Sequence, residues 1–144
     1  MWSVTKIFLV TFFIWSTGAK VTSKIYDAIQ LNELEKWHDV CEDVTGVTDE
    51  EVANMQNGNF TEDANQKKYL LCMWRATGVI SKDMEFNKKR FLHWLPKRLQ
   101  TDAEAEMVQS CFDEGKKSGG EKCEQIFKMQ QCMHKKDGVN ILLL

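Results

Sequence analysis

Apolar residues recur at three- and four-residue spacing in six stretches separated by short polar joints, the pattern of amphipathic helices. Leu34, Trp37 and Cys41 share one side of a first helix over 23–42. Thr48-Asp49-Glu50-Glu51 is a capping-box sequence opening a short second helix to 56, which Asn57-Gly58-Asn59 breaks. A third helix over 63–77 stops at Gly78 and gathers Tyr69, Cys72, Met73 and Ala76, opposite Lys68 and Arg75. A fourth, over 86–95, has Phe91, Trp94 and Leu95 as its apolar stripe and ends at Pro96. A second capping box, Thr101-Asp102-Ala103-Glu104, opens a fifth helix to 116 with Met107, Val108, Cys111 and Phe112. Ser118-Gly119-Gly120 joins it to a sixth over 121–136, striped by Ile126, Met129 and Met133. Asp137-Gly138 ends that helix. The apolar end, Ile141, Leu142, Leu143 and Leu144, would be an aggregation hazard if exposed and is expected to tuck back onto the body.

The first 19 residues read differently. One basic residue precedes a nearly unbroken apolar run over 7–15, and Thr17-Gly18-Ala19 supplies small residues for cleavage, so 1–19 is expected to be a signal peptide. The run is too short to span a bilayer, which takes about 20 residues. The remaining 125 residues, 20–144, are expected to form one secreted, soluble domain without stable membrane insertion. Lys6 lies in the leader, so 18 of the 19 basic residues remain against 21 acidic, a balance of −3. That mild acidity argues against nucleic acid, which wants a basic face.

A secreted chain with several cysteines reads as a disulfide framework. Cys41, Cys72, Cys111, Cys123 and Cys132 are separated by thirty, thirty-eight, eleven and eight residues, and the odd count leaves a thiol over.

This spacing in an all-helical chain resembles the insect odorant-binding proteins, the pheromone- and general-odorant-binding family. Its framework has six cysteines, with three residues between the second and third and eight between the fifth and sixth. The five cysteines here fit the first, third, fourth, fifth and sixth positions, and Lys68 stands at the second. Thr77-Gly78-Val79-Ile80, Glu85-Phe86 and Leu95-Pro96 also fit. The resemblance implies an all-α, six-helix, disulfide-stapled domain with an internal hydrophobic cavity. It implies bridges Cys41–Cys72 and Cys111–Cys132, and leaves Cys123 without its partner. A more mobile sixth helix than in six-cysteine relatives is expected, since removing a native bridge commonly costs about 2–5 kcal/mol. Three fates are open to Cys123: a buried inert thiol, a bridge in a homodimer, or a reactive thiol.

Phe60, Tyr69, Met73, Trp74, Phe86, Phe91, Trp94, Met107, Phe112 and Phe127 are the candidate ligand-binding residues. In a solid bundle they would simply be core; the resemblance implies that some line a cavity of roughly 300–1,000 Å³. Tyr69 would add a hydroxyl to orient the ligand. Histidine is the side chain whose ordinary charge change falls near neutrality, so His38, His93 and His134, with the apolar tail, suggest protonation-driven release, although three solvated surface histidines are the plainer expectation. They are too scattered for a metal motif, and no cofactor is expected. Asn59-Phe60-Thr61 is a glycosylation sequon. Lys88, Lys89, Arg90, Lys97 and Arg98 read as a wet helix face. Without a Ser-His-Asp order, a phosphate-binding glycine loop or paired carboxylates, a non-enzymatic carrier of odorants or pheromones is the leading expectation, with a chemosensory receptor as a further partner. The alternatives are a non-olfactory carrier of lipids or biogenic amines, and a disulfide-linked dimeric signalling protein without an open cavity.

Overall fold

The computed structural model describes residues 28–137. The leader, the start of the first helix before 28, Gly138 and the apolar tail lie outside the described residues. Six α-helices follow in order: α1 (Ala28–Thr45), α2 (Asp49–Gln56), α3 (Ala64–Ala76), α4 (Lys88–Trp94), α5 (Asp102–Lys117) and α6 (Lys122–Asp137). A 3₁₀ turn, Lys97–Leu99, separates α4 from α5. The capping box at α2 closes as the sequence dictates: Thr48 accepts from the Glu51 amide, and the Glu51 carboxylate accepts from the Thr48 amide. Asp63 caps α3, Asn87 caps α4 and Thr101 caps α5 through their side-chain oxygens. The fourth helix therefore starts later than its apolar pattern suggests. Phe86 instead lies in a single antiparallel bridge with Ile80, and Met84 takes φ 61° in the tight loop between them.

Three helix pairs fix the architecture. Cys41 is bonded to Cys72, and one turn earlier His38 Nδ1 meets the Tyr69 hydroxyl at 2.8 Å, so α1 and α3 run side by side in the same direction. Trp74 Nε1 donates to Gln130 Oε1 at 3.0 Å and Lys67 pairs with Glu124 at 2.7 Å, which sets α6 along α3 in the same sense. Cys111 is bonded to Cys132, joining antiparallel α5 and α6. Gly115 lets that pair close: a Cβ there would fall 2.2 Å from the Gln125 carbonyl oxygen and 3.1 Å from the Met129 nitrogen. The joint between them turns through Gly119 and Gly120, both at positive φ.

The core draws on every helix, with Leu34, Met55, Met73, Trp74, Phe91, Val108, Ile126 and Met129 fully buried. Trp37 departs from its predicted place. The seam of α1 is Leu31, Leu34, His38 and Cys41, and Trp37 falls at its edge, 39% exposed, beside exposed Val40 and Val44. A helix held mainly against one neighbour buries a narrow stripe, and position 37 lies outside it.

Candidate functional site

The ten candidate residues all join one core. Tyr69, Met73, Trp74, Phe91, Trp94, Phe112 and Phe127 are buried, while Phe60, Phe86 and Met107 are half-buried against them. Four rings form a continuous row across α3, α4, the 79–87 loop and α5. Trp74 stacks on Phe91 at 6.4 Å between centroids, Phe91 meets Phe86 at 5.7 Å, and Phe86 meets Phe112 at 6.1 Å. Phe60 packs edge-on to Phe127 at 5.9 Å and to His134, forming a second group where the α2–α3 loop crosses α6.

The Tyr69 hydroxyl, expected to orient a ligand, is paired with His38. Burial first, and then the carboxylates of Glu42 and Asp49, push its pKa far above the usual phenol value, so it stays neutral. The expectation of three solvated histidines fails for two. His38 is half-buried between Tyr69, Glu42 and Asp49, His134 is half-buried against Phe60, and only His93 is exposed.

Three polar residues are buried among the described residues, and none of them is among the candidate site residues named from sequence. Thr77 places its carbonyl to accept from Trp94 Nε1 at 2.9 Å and Arg90 Nε at 3.1 Å. Gln66 Oε1 accepts from the Thr61 amide. Gln130 is fully buried; its Oε1 accepts from Trp74, and its Nε2 has no hydrogen-bond partner. A signal for Gln130 was present: it shares the stripe of Ile126, Met129 and Met133, an amide where periodicity demands an apolar side chain.

The depressions on the outside of the described residues include the following two. One, about 480 Å³, is lined by Arg75, Gly78, Ile80, Ser81, Lys82 and Lys122. The other, about 400 Å³, lies between α1 and α4 and has Trp37, Val40, Arg90 and Trp94 in its wall. Of the ten candidate residues, only Trp94 lines either.

Lys68, at the vacant framework position, is exposed on α3, and Cys123 is half-buried on α6 with its thiol toward the Glu121 carboxylate at 3.7 Å. The neighbours of these two residues bind each other. Lys67 meets Glu124 at 2.7 Å and Glu62 at 2.6 Å, and these two carboxylates hold its pKa well above the usual lysine value. An ion pair thus joins α3 to α6 where the framework would place a bridge. Asn59 is exposed in the α2–α3 loop. Lys88, Lys89, Arg90, Lys97 and Arg98 are exposed, with Lys88 paired to Asp102 at 2.7 Å. No helix among the described residues is long and apolar enough to cross a membrane.

The fold is similar to that of odorant binding protein 4 from the predator Chrysopa pallens. The similarity has a TM-score of 0.60 at 23% identity, over 77% of this chain and 92% of that one. The model of the PBP/GOBP family matches residues 23–136, which takes in all five cysteines and the six helices except the last residue of α6. The chain belongs to the PBP/GOBP family, the insect odorant-binding proteins.

Proposed function

We propose that this protein is a secreted carrier that shelters a small hydrophobic molecule among the aromatic and methionine side chains between α3, α4, α5 and α6. The observation that carries this reading is the family match over 23–136, on a framework whose two bridges flank a continuous row of rings. The similar Chrysopa pallens protein is named for odorant binding, which agrees with it.

The two stapled pairs, α1–α3 and α5–α6, form the shell, and α4 with the preceding loop is the wall held by no bridge. Phe86 and Met107 sit half-buried beside that wall, and methionine adapts to varied shapes. The ligand opens an internal cavity there by displacing these soft side chains. Removing about 450 Å² of its apolar surface from water is worth roughly 11 kcal/mol. Loss of about 4 kcal/mol to immobilisation leaves near −7 kcal/mol, a dissociation constant on the order of 10 μM. The unpartnered Gln130 amide gives the interior a hydrogen-bond donor, so the favoured ligands carry one oxygen acceptor on an apolar body. The protein binds and releases its cargo unchanged, without catalysis.

Displacement of a fluorescent apolar probe by an alkane, a ketone and an alcohol of equal length tests this. The expected result is saturable 1:1 binding with the oxygenated ligands favoured about five-fold or more, as one neutral hydrogen bond allows. Gln130→Met should erase that preference. Absence of saturable probe binding by the disulfide-intact protein would end the carrier reading.

A further inference from the structure

His38, Glu42 and Asp49 bring one ligand atom each within 4.8 Å of one another at the joint between α1 and α2. His38 and Glu42 are four residues apart on α1 and so share a face; Asp49 is the first residue of α2, turned toward them by the 46–48 joint. Separations from His38 Nε2 are 3.5 Å to Asp49 Oδ1 and 3.9 Å to Glu42 Oε2. Both exceed the roughly 2.7–2.9 Å of a charge-assisted hydrogen bond. They lie close to the separation of about 3.3 Å that two ligands adopt around a tetrahedral ion at 2.0–2.1 Å.

We propose that His38 Nε2, Glu42 and Asp49 form a binding site for a divalent transition-metal ion, with Zn²⁺ as the best match. One imidazole with two carboxylates suits zinc, whereas calcium and magnesium prefer oxygen ligands alone. Solvent completes the fourth position, because Asp49 is exposed.

The imidazole is already oriented for this role. Its other nitrogen, Nδ1, is held by the buried Tyr69 hydroxyl at 2.8 Å, the outer-shell contact that fixes which nitrogen faces a metal. The Cys41–Cys72 bridge stands one turn further along both helices and locks that contact in place. The ion would relieve repulsion between the two carboxylates and pin α2 to α1. This site is independent of carriage in the core.

Calorimetric titration of ZnCl₂ into disulfide-intact protein near neutral pH tests the proposal, in a Cys123→Ser background so that the free thiol adds no ligand. One saturable site is expected, with a rise in melting temperature on adding Zn²⁺. Asp49→Asn and Glu42→Gln should each weaken binding, by about ten-fold; more than three-fold in either supports the site. Because Asp49 is exposed, its variant should fold as the parent does, shown by an unchanged metal-free melting temperature. Absence of saturable Zn²⁺ binding, or affinity within three-fold of the parent in both variants, overturns it.

Discussion

Replacing Lys68 by cysteine should give Cys123 its missing partner. Lys67 and Glu124, each adjacent to one member of the pair, already touch at 2.7 Å, so α3 and α6 are in register there. Lys68 is exposed, and truncating it removes no packing. The bridge would close a loop of roughly 55 residues, worth about 4 kcal/mol in the chain-entropy limit and about 2–4 kcal/mol after native-state strain. For a domain of this size, that raises the melting temperature on the order of 10 °C. Thiol titration under denaturing conditions should find one reactive sulfur in the parent and none in Lys68→Cys. Circular dichroism melting of both oxidised proteins then measures the gain. Two free thiols in the variant, or a bridge that forms without raising the melting temperature, would refute the placement of Lys68 at the vacant position.

Gly115→Ala should destabilise the fold by about 1–3 kcal/mol although alanine is the better helix former, because the added methyl meets the α6 backbone; denaturant unfolding measures it, and the penalty should shrink when the nearby Cys111–Cys132 bridge is removed. Lys88 holds the Asp102 carboxyl below its ordinary value of 3.8. A lowered folded-state pKa stabilises fully above the unfolded value and is lost as pH falls through the folded one, so a small melting difference between the parent and Lys88→Met should vanish in strong acid. High salt should shrink it as well. Non-reducing electrophoresis should show a monomer, since half-buried Cys123 offers its sulfur poorly to a second chain; a dimer lost in Cys123→Ser would contradict this.

Much of the fold was legible because its devices are local. Thr48 with Glu51, Asp63, Thr101 and the Gly119-Gly120 joint mark helix ends through short-range hydrogen bonds and backbone freedom. The stripes of α4, α5 and α6 were legible because each helix faces the core squarely, as buried Phe91, Val108 and Ile126 show. Trp37 misled because periodicity gives a direction but not the width of the buried face. Apolar spacing carries Phe86 into a helix that starts two residues later, because Asn87 capping and the bridge to Ile80 outweigh that spacing. In the site, the aromatic residues could be named but not grouped. Joining Trp74 to Phe112 through Phe91 and Phe86 requires contacts across three helices and the 79–87 loop. The meeting of His38 with Asp49 was likewise hidden, since it depends on how α2 turns back on α1.

The most direct test of the carrier is where a ligand lands. With methionine methyls labelled for NMR, titration of a ten-carbon ketone should move the resonances of Met73, Met107 and Met129 together, saturating at one equivalent, and leave Met55 on α2 unmoved. Shifts absent from all three core methyls, in a protein whose ligand binding saturates, would place the ligand elsewhere and contradict the account.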